Sequence, residues 1–155
     1  MIKYAKICNE ETKAVIVSLG DDEDYYIANG FELMDVEQDW RGRWYLKDFV
    51  PAQPIQDAKE DAYYNLWKNY KSFQTKYVDA EDLTLATLCA QGGSLKGKAV
   101  QDWVMNLWKH YYEVKDSISE AQTLDDLAKI DISTETLSVP PYTIRELNEE
   151  AVLNI

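Results

Sequence analysis

The sequence predicts an α+β fold: a small N-terminal ββαββ module followed by a helical domain with two long amphipathic helices. Three observations predict it. Up to Val50, short alternating runs are separated by turn residues, the pattern of half-buried strands. From Ile55 onward, apolar residues recur at steps close to the helical repeat. Between them stands Pro51-Ala52-Gln53-Pro54, where each proline removes a backbone donor and holds the preceding residue extended. The expected division is a β-rich module over 1–50, a linker over 51–54 and a helical domain over 55–155.

In the module, Ile2 to Cys8 reads as a strand and Asn9-Glu10-Glu11 as a turn. Lys13 to Leu19 reads as a second strand, with Val15, Val17 and Leu19 on one face. Asp21 or Asp22 can cap a short helix, and the acids that follow suit its dipole. That helix carries Tyr25, Tyr26 and Ile27 and stops at Asn29-Gly30, a natural left-handed C-cap. Phe31 to Gln38 and Arg43 to Phe49 form the second strand pair. Asp39-Trp40-Arg41-Gly42 turns between them, with Gly42 free to take positive φ. A module of roughly 50 residues is near the lower limit for independent stability, so it is expected to lean on something else.

In the helical part, Ile55, Ala58, Ala62, Leu66, Tyr70, Phe73 and Tyr77 lie on one stripe. A helix from Ile55 to Val78 would be roughly 36 Å long. Asp79 can cap a shorter helix with Leu83, Ala86 and Cys89, ended by Gly92-Gly93. Ser94 can cap a long one with Val100, Trp103, Leu107, Tyr111, Val114 and Ile118 on its apolar stripe. Thr123 with Asp126, then Thr143 with Glu146, read as capping boxes. The first opens a short helix through Leu124, Leu127 and Ile130, the second a last helix through Leu147 and Ala151. Asn65-Leu66-Trp67-Lys68-Asn69-Tyr70 echoes Asn106-Leu107-Trp108-Lys109-His110-Tyr111 at five of six positions. As related units, the two long helices would lie side by side and antiparallel.

Of 155 residues, 28 are Asp or Glu and 16 are Lys or Arg, a net charge of −12. That excludes direct nucleic-acid binding through phosphates, which takes clustered cations. No apolar run is long enough for a transmembrane helix, and Met1 to Glu11 does not read as a signal peptide. Cys8 and Cys89 are too far apart in sequence to suggest a metal pattern, and both read as buried, inert thiols. The run Asp21-Asp22-Glu23-Asp24 lacks the alternate spacing and central glycine of a calcium loop. Gly92-Gly93-Ser94-Leu95-Lys96-Gly97-Lys98 lacks the spacing of a phosphate-binding loop and reads as a helix–helix turn. His110, the only histidine, has Glu113 at i+3 but reads as a helix-flank imidazole. No catalytic residue, metal or cofactor is expected.

The strongest signal is aromatic: five Trp and eleven Tyr. Tyr63, Trp67 and Tyr70 lie at steps of four and three, as do Val104, Trp108 and Tyr111. They widen each apolar stripe beyond what a two-helix contact buries. Part of the set is expected in a bundle core and part on a partner-binding face, because Trp and Tyr dominate interface hot spots. The candidate binding residues are Tyr63, Trp67, Tyr70, Trp108 and Tyr111, with Trp40 and Trp44 as a second patch.

The opening Met1-Ile2-Lys3-Tyr4-Ala5-Lys6-Ile7 followed by Asn9-Glu10-Glu11-Thr12 resembles the start of small proteins encoded in phage and prophage tail regions. Met34-Asp35-Val36-Glu37-Gln38 with Trp44-Tyr45-Leu46 resembles their later stretch. The helical half is similar in layout only to tail-fibre assembly proteins, and no motif carries over residue by residue. The resemblance covers about a third of the chain. It implies a non-enzymatic protein of tail or tail-fibre assembly, a chaperone or a minor virion component. Such a protein is made in the bacterial host cytoplasm and partners a tail or tail-fibre protein or a second copy of itself. The acidity supports an alternative: a phage-encoded inhibitor of a host defence or nucleic-acid-binding enzyme. A hydrolase built on His110 is a third.

Overall fold

The computed structural model describes residues 1–153, with side chains through Glu150. It is α+β, with a small strand module ahead of a long-helix domain. The chain divides into two compact units, Met1–Pro54 and Ile55 onward.

The first unit contains β1 (Ile2–Asn9), β2 (Ala14–Val17), α1 (Glu23–Ala28), β3 (Glu32–Gln38) and β4 (Trp44–Leu46). The strands close in the order β1-β2-β4-β3, all antiparallel. Alternation turns Ala5, Val15 and Val36 fully inward, with Ile7, Val17, Met34, Trp44 and Leu46 partly buried around them. Closure was not legible in the two hairpins, because it depends on β1 pairing on both edges. The turns follow side-chain chemistry. The Asn9 Oδ1 accepts from the N–H of Glu11 and of Thr12. Asp39 Oδ1 accepts from Arg41 and Arg43, while Gly42 sits at φ 78°. Asp22 caps α1 by accepting from the Tyr25 N–H, and Gly30 at φ 83° follows its end.

Three expectations are corrected here. Leu19 lies past the end of β2 and is 97% exposed, so it does not share the inward face of Val15 and Val17. Residues 47–49 form a 3₁₀ turn rather than prolonging β4. Cys8 is exposed, its Sγ 3.3 Å from the Ala14 carbonyl, rather than buried.

The second unit contains α2 (Ile55–Tyr77), α3 (Ala80–Gln91), α4 (Leu95–Glu120), α5 (Leu124–Ala128) and α6 (Ile144–Leu153). The starts of α3, α4, α5 and α6 are chemically marked. Asp79 with Asp82 and Thr123 with Asp126 form reciprocal capping boxes. Ser94 Oγ accepts from Gly97 N, and Thr143 exchanges bonds with Glu146. Ala151, expected on the apolar face of α6, lies outside the described side chains.

α2 and α4 are antiparallel. Lys59 meets Ser119, Tyr70 meets Tyr111 and Gln74 meets Trp108, so numbers fall along α4 as they rise along α2. The core between and around them holds Leu66, Tyr70, Val100, Trp103, Leu107, Tyr111, Val114 and Ile118. α3 packs against the start of α4 at Gly97. A Cβ there would stand 2.8 Å from the Ala86 carbonyl oxygen and from the Cys89 Cβ. Only a hydrogen fits, which lets the two backbones close together.

Candidate protein-binding face

The echoed hexapeptides occupy matching places on the two long helices. Asn65 and Asn106 are forty-one residues apart, and an antiparallel pair brings such units face to face about a local two-fold. Tyr70 and Tyr111, equivalent positions, meet near that axis with ring centroids 5.7 Å apart. Leu66 and Leu107 are both buried beside them. The echo therefore builds the middle of the core twice, once from each helix.

Burial divides the expected binding residues. Tyr70 and Tyr111 are core residues, 0% and 7% exposed, so neither can offer a contact surface. Tyr63 and Trp108 are half-buried, and Trp67 is 47% exposed. The equivalent tryptophans differ because their surroundings differ. The Trp108 indole N–H donates to Gln74 Oε1, and the Gln74 amide donates onward to the Val78 carbonyl. Trp108 is thus tied under the turn from α2 into α3. The position equivalent to Gln74 beside Trp67 is Lys115. Its ammonium lies 5.8 Å from the Tyr63 ring centroid and 5.9 Å from that of Tyr112.

Helical spacing puts Tyr63, Trp67 and Lys71 on the same edge of α2, and Trp108, Tyr112 and Lys115 on the same edge of α4. The antiparallel register makes these one surface. Tyr64, on its outer margin, and Tyr112 are both exposed. Sequence reasoning missed Tyr64, Tyr112 and Lys115. Tyr112 sits one step past the buried Tyr111, which hid it within the stripe; its i−4 relation to Trp108 was the available signal.

The opposite edge of the pair is covered by the protein itself. Asn69 Nδ2 donates to the Ile132 carbonyl, and the Trp103 indole N–H donates to the Ser138 carbonyl at 2.9 Å. The segment after α5 thus straps that side. His110 lies here, exposed, its Nδ1 3.5 Å from Glu113. A cleft of about 110 Å³ beside it is lined by Trp103, Asn106, Leu107, Leu137 and Ser138. Asp131 is held below the ordinary carboxylate range mainly by hydrogen bonds from Ser133, with His110 contributing least. The Tyr70 hydroxyl is buried without a hydrogen-bond partner, and burial, then Asp131, pushes its pKa up. Among the described residues, no three His, Cys, Asp or Glu side chains gather to hold a metal ion.

In the first unit, Trp40 is 37% exposed at the β3–β4 turn, with the Arg41 guanidinium 5.8 Å from its ring. Trp44 is half-buried, turned toward the barrel interior, with Lys3 over its ring. The two do not share one face: Trp40 stands on the turn and Trp44 faces inward.

Comparison of the chain with protein-family models, with curated proteins and with solved structures finds no match. Among the described residues, no helix is long and apolar enough to cross a membrane.

Proposed function

We propose that this is a non-enzymatic protein of phage or prophage tail or tail-fibre assembly, working through protein–protein contacts as a chaperone or a minor virion component. The N-terminal resemblance supplies the biological setting. One observation supports the mode of action: Trp67, Tyr64 and Tyr112 are presented outward while Tyr70, Tyr111 and Leu66 beneath them are locked in the core. Rigid aromatics on a fixed scaffold lose little entropy when covered, which is the economy that makes Trp and Tyr hot spots.

Capture from phage-producing cells tests the reading. A tagged chain should retain a tail or tail-fibre protein through washes at raised salt. Mass spectrometry of purified particles then separates the two roles, since a chaperone leaves the finished particle and a minor component stays. The net charge of −12 favours a second reading, an acidic inhibitor of a host defence or nucleic-acid-binding enzyme. That reading requires a basic partner lost as salt rises, because exposed charges separated by more than a Debye length are screened. Recovery of such a partner in place of a tail protein would replace the first reading with the second.

A further inference from the structure

We infer that the strapped edge of α2 and α4 is a groove for an extended segment of a partner protein, and that residues 131–139 occupy it until such a segment replaces them. The inference rests on the protein-binding reading above and adds a second surface, with the form of the segment it takes.

The strap is held in the way a bound peptide is held. Residues 129–143 lie between α5 and α6 and form neither helix nor strand. So long an irregular stretch is uncommon inside a compact domain and usually carries function. Among the described residues, no backbone–backbone hydrogen bond joins 131–142 to another element. The one such bond there is internal, from the Leu137 N–H to the Thr134 carbonyl. The anchors are side chains of the long helices: Asn69 Nδ2 donates to the Ile132 carbonyl at 3.0 Å, and the Trp103 indole N–H donates to the Ser138 carbonyl at 2.9 Å. Both donors read main-chain oxygens, which any extended polypeptide presents. Ile132 and Leu137 pack on the core between the ends, and Ile130 and Tyr142 keep those ends docked.

The strap fills this groove imperfectly. Trp103 packs beside Phe73 and Tyr77, about one and two turns along α2 from Asn69, so the two donors stand roughly 6–12 Å apart along the pair. About two to four extended residues cover that distance at ~3.3 Å each. Ser138 lies six residues after Ile132, and the turn at Thr134–Leu137 takes up the surplus. Leu137 is half-buried with open space on both sides. One cleft, about 110 Å³, lies toward Asn106 and His110, and another, about 480 Å³, toward Ser72 and Lys76. A straight segment with a larger apolar side chain in the place of Leu137 keeps both carbonyl bonds, needs no turn and fills more of that space. The native strap is therefore a weak occupant, and the partner segment it stands in for is extended and carries an aromatic residue at that place.

The strap's own sequence is the probe. A fluorescent peptide of residues 130–142 carrying Leu137→Trp is titrated into the full chain, unaltered or loosened by Leu137→Asp. It should bind the loosened chain about tenfold more tightly, and Asn69→Ala in the loosened chain should weaken it about tenfold, the scale of one hydrogen bond. Three results overturn the inference: no binding to a loosened chain that is folded by circular dichroism, equal binding to both chains, or binding that Asn69→Ala leaves unchanged. Indole proton exchange needs no variant. The Trp103 N–H, freed when the strap lifts, should exchange about a hundredfold faster than the Trp108 N–H, which is bonded within the helix pair. Equal exchange rates in the unaltered chain overturn the inference even where the Leu137→Asp chain does not fold. Both measurements work without a natural partner, so a failed capture counts against the reading above and a failed titration against this inference alone.

Discussion

Gly97 decides how closely α3 meets α4. The atoms a Cβ would strike include the Ala86 carbonyl oxygen and Ala90 nitrogen, which are backbone and cannot rotate away. Gly97→Ala should therefore cost about 1–3 kcal/mol despite alanine's better helix propensity. Urea unfolding with an unchanged slope would measure it. The sequence shows Gly97 only as a helix residue in a Gly- and Lys-rich turn, because close approach is a property of two segments together. The tryptophans make the complementary case. Trp108 is half-buried and bonded to Gln74, so Trp108→Ala should destabilise by about 2 kcal/mol or more. Trp67→Ala should shift stability by only about 0.5 kcal/mol while removing binding. Thermal unfolding and partner capture, run on both variants, separate the two roles. Their hexapeptide settings, alike at five of six positions, carry no hint of this difference, which arises from Gln74 against Lys115 across the helix pair.

Helices were more legible than strands. The capping pairs Asp79–Asp82, Thr123–Asp126 and Thr143–Glu146 sit at the helix starts, because the signal is local chemistry within four residues. β4 was read too long and β2 too far toward Leu19, since a strand's end depends on its neighbour. β2 and β4 meet through the single register Ala14↔Tyr45, which leaves little to prolong either one. The caps also fix an acid sensitivity. The Asp126 carboxyl is held below its usual range first by the Gln122 N–H, then by the Thr123 hydroxyl. A carboxylate depressed in the folded state contributes stability that is complete above its unfolded pKa of about 3.9 and is lost as pH falls through the lower folded value. Unfolding free energy followed from pH 5 to about pH 2 should thus fall, and Asp126→Asn should flatten that limb. An unchanged limb would show that the α5 cap makes no such contribution.

At the scale of the molecule, the first unit has a three-residue buried core and the second a larger continuous one. The aromatic excess visible in the composition resolves into two populations. Tyr70, Tyr111 and Trp103 build the bundle, while Tyr64, Trp67 and Tyr112 face outward. Composition gave the surplus and helical spacing gave the stripes. Which edge is strapped by residues 129–142 and which is left open required the tertiary path. The central claim is that the open edge grips another polypeptide, and its most direct test is partner retention in 1 M salt, where the Debye length is about 3 Å. The unaltered chain should keep its partner there, and the Trp67→Ala/Tyr112→Ala double variant, folded by circular dichroism, should lose it. Retention by the double variant, or loss by the unaltered chain as salt rises, would contradict the account.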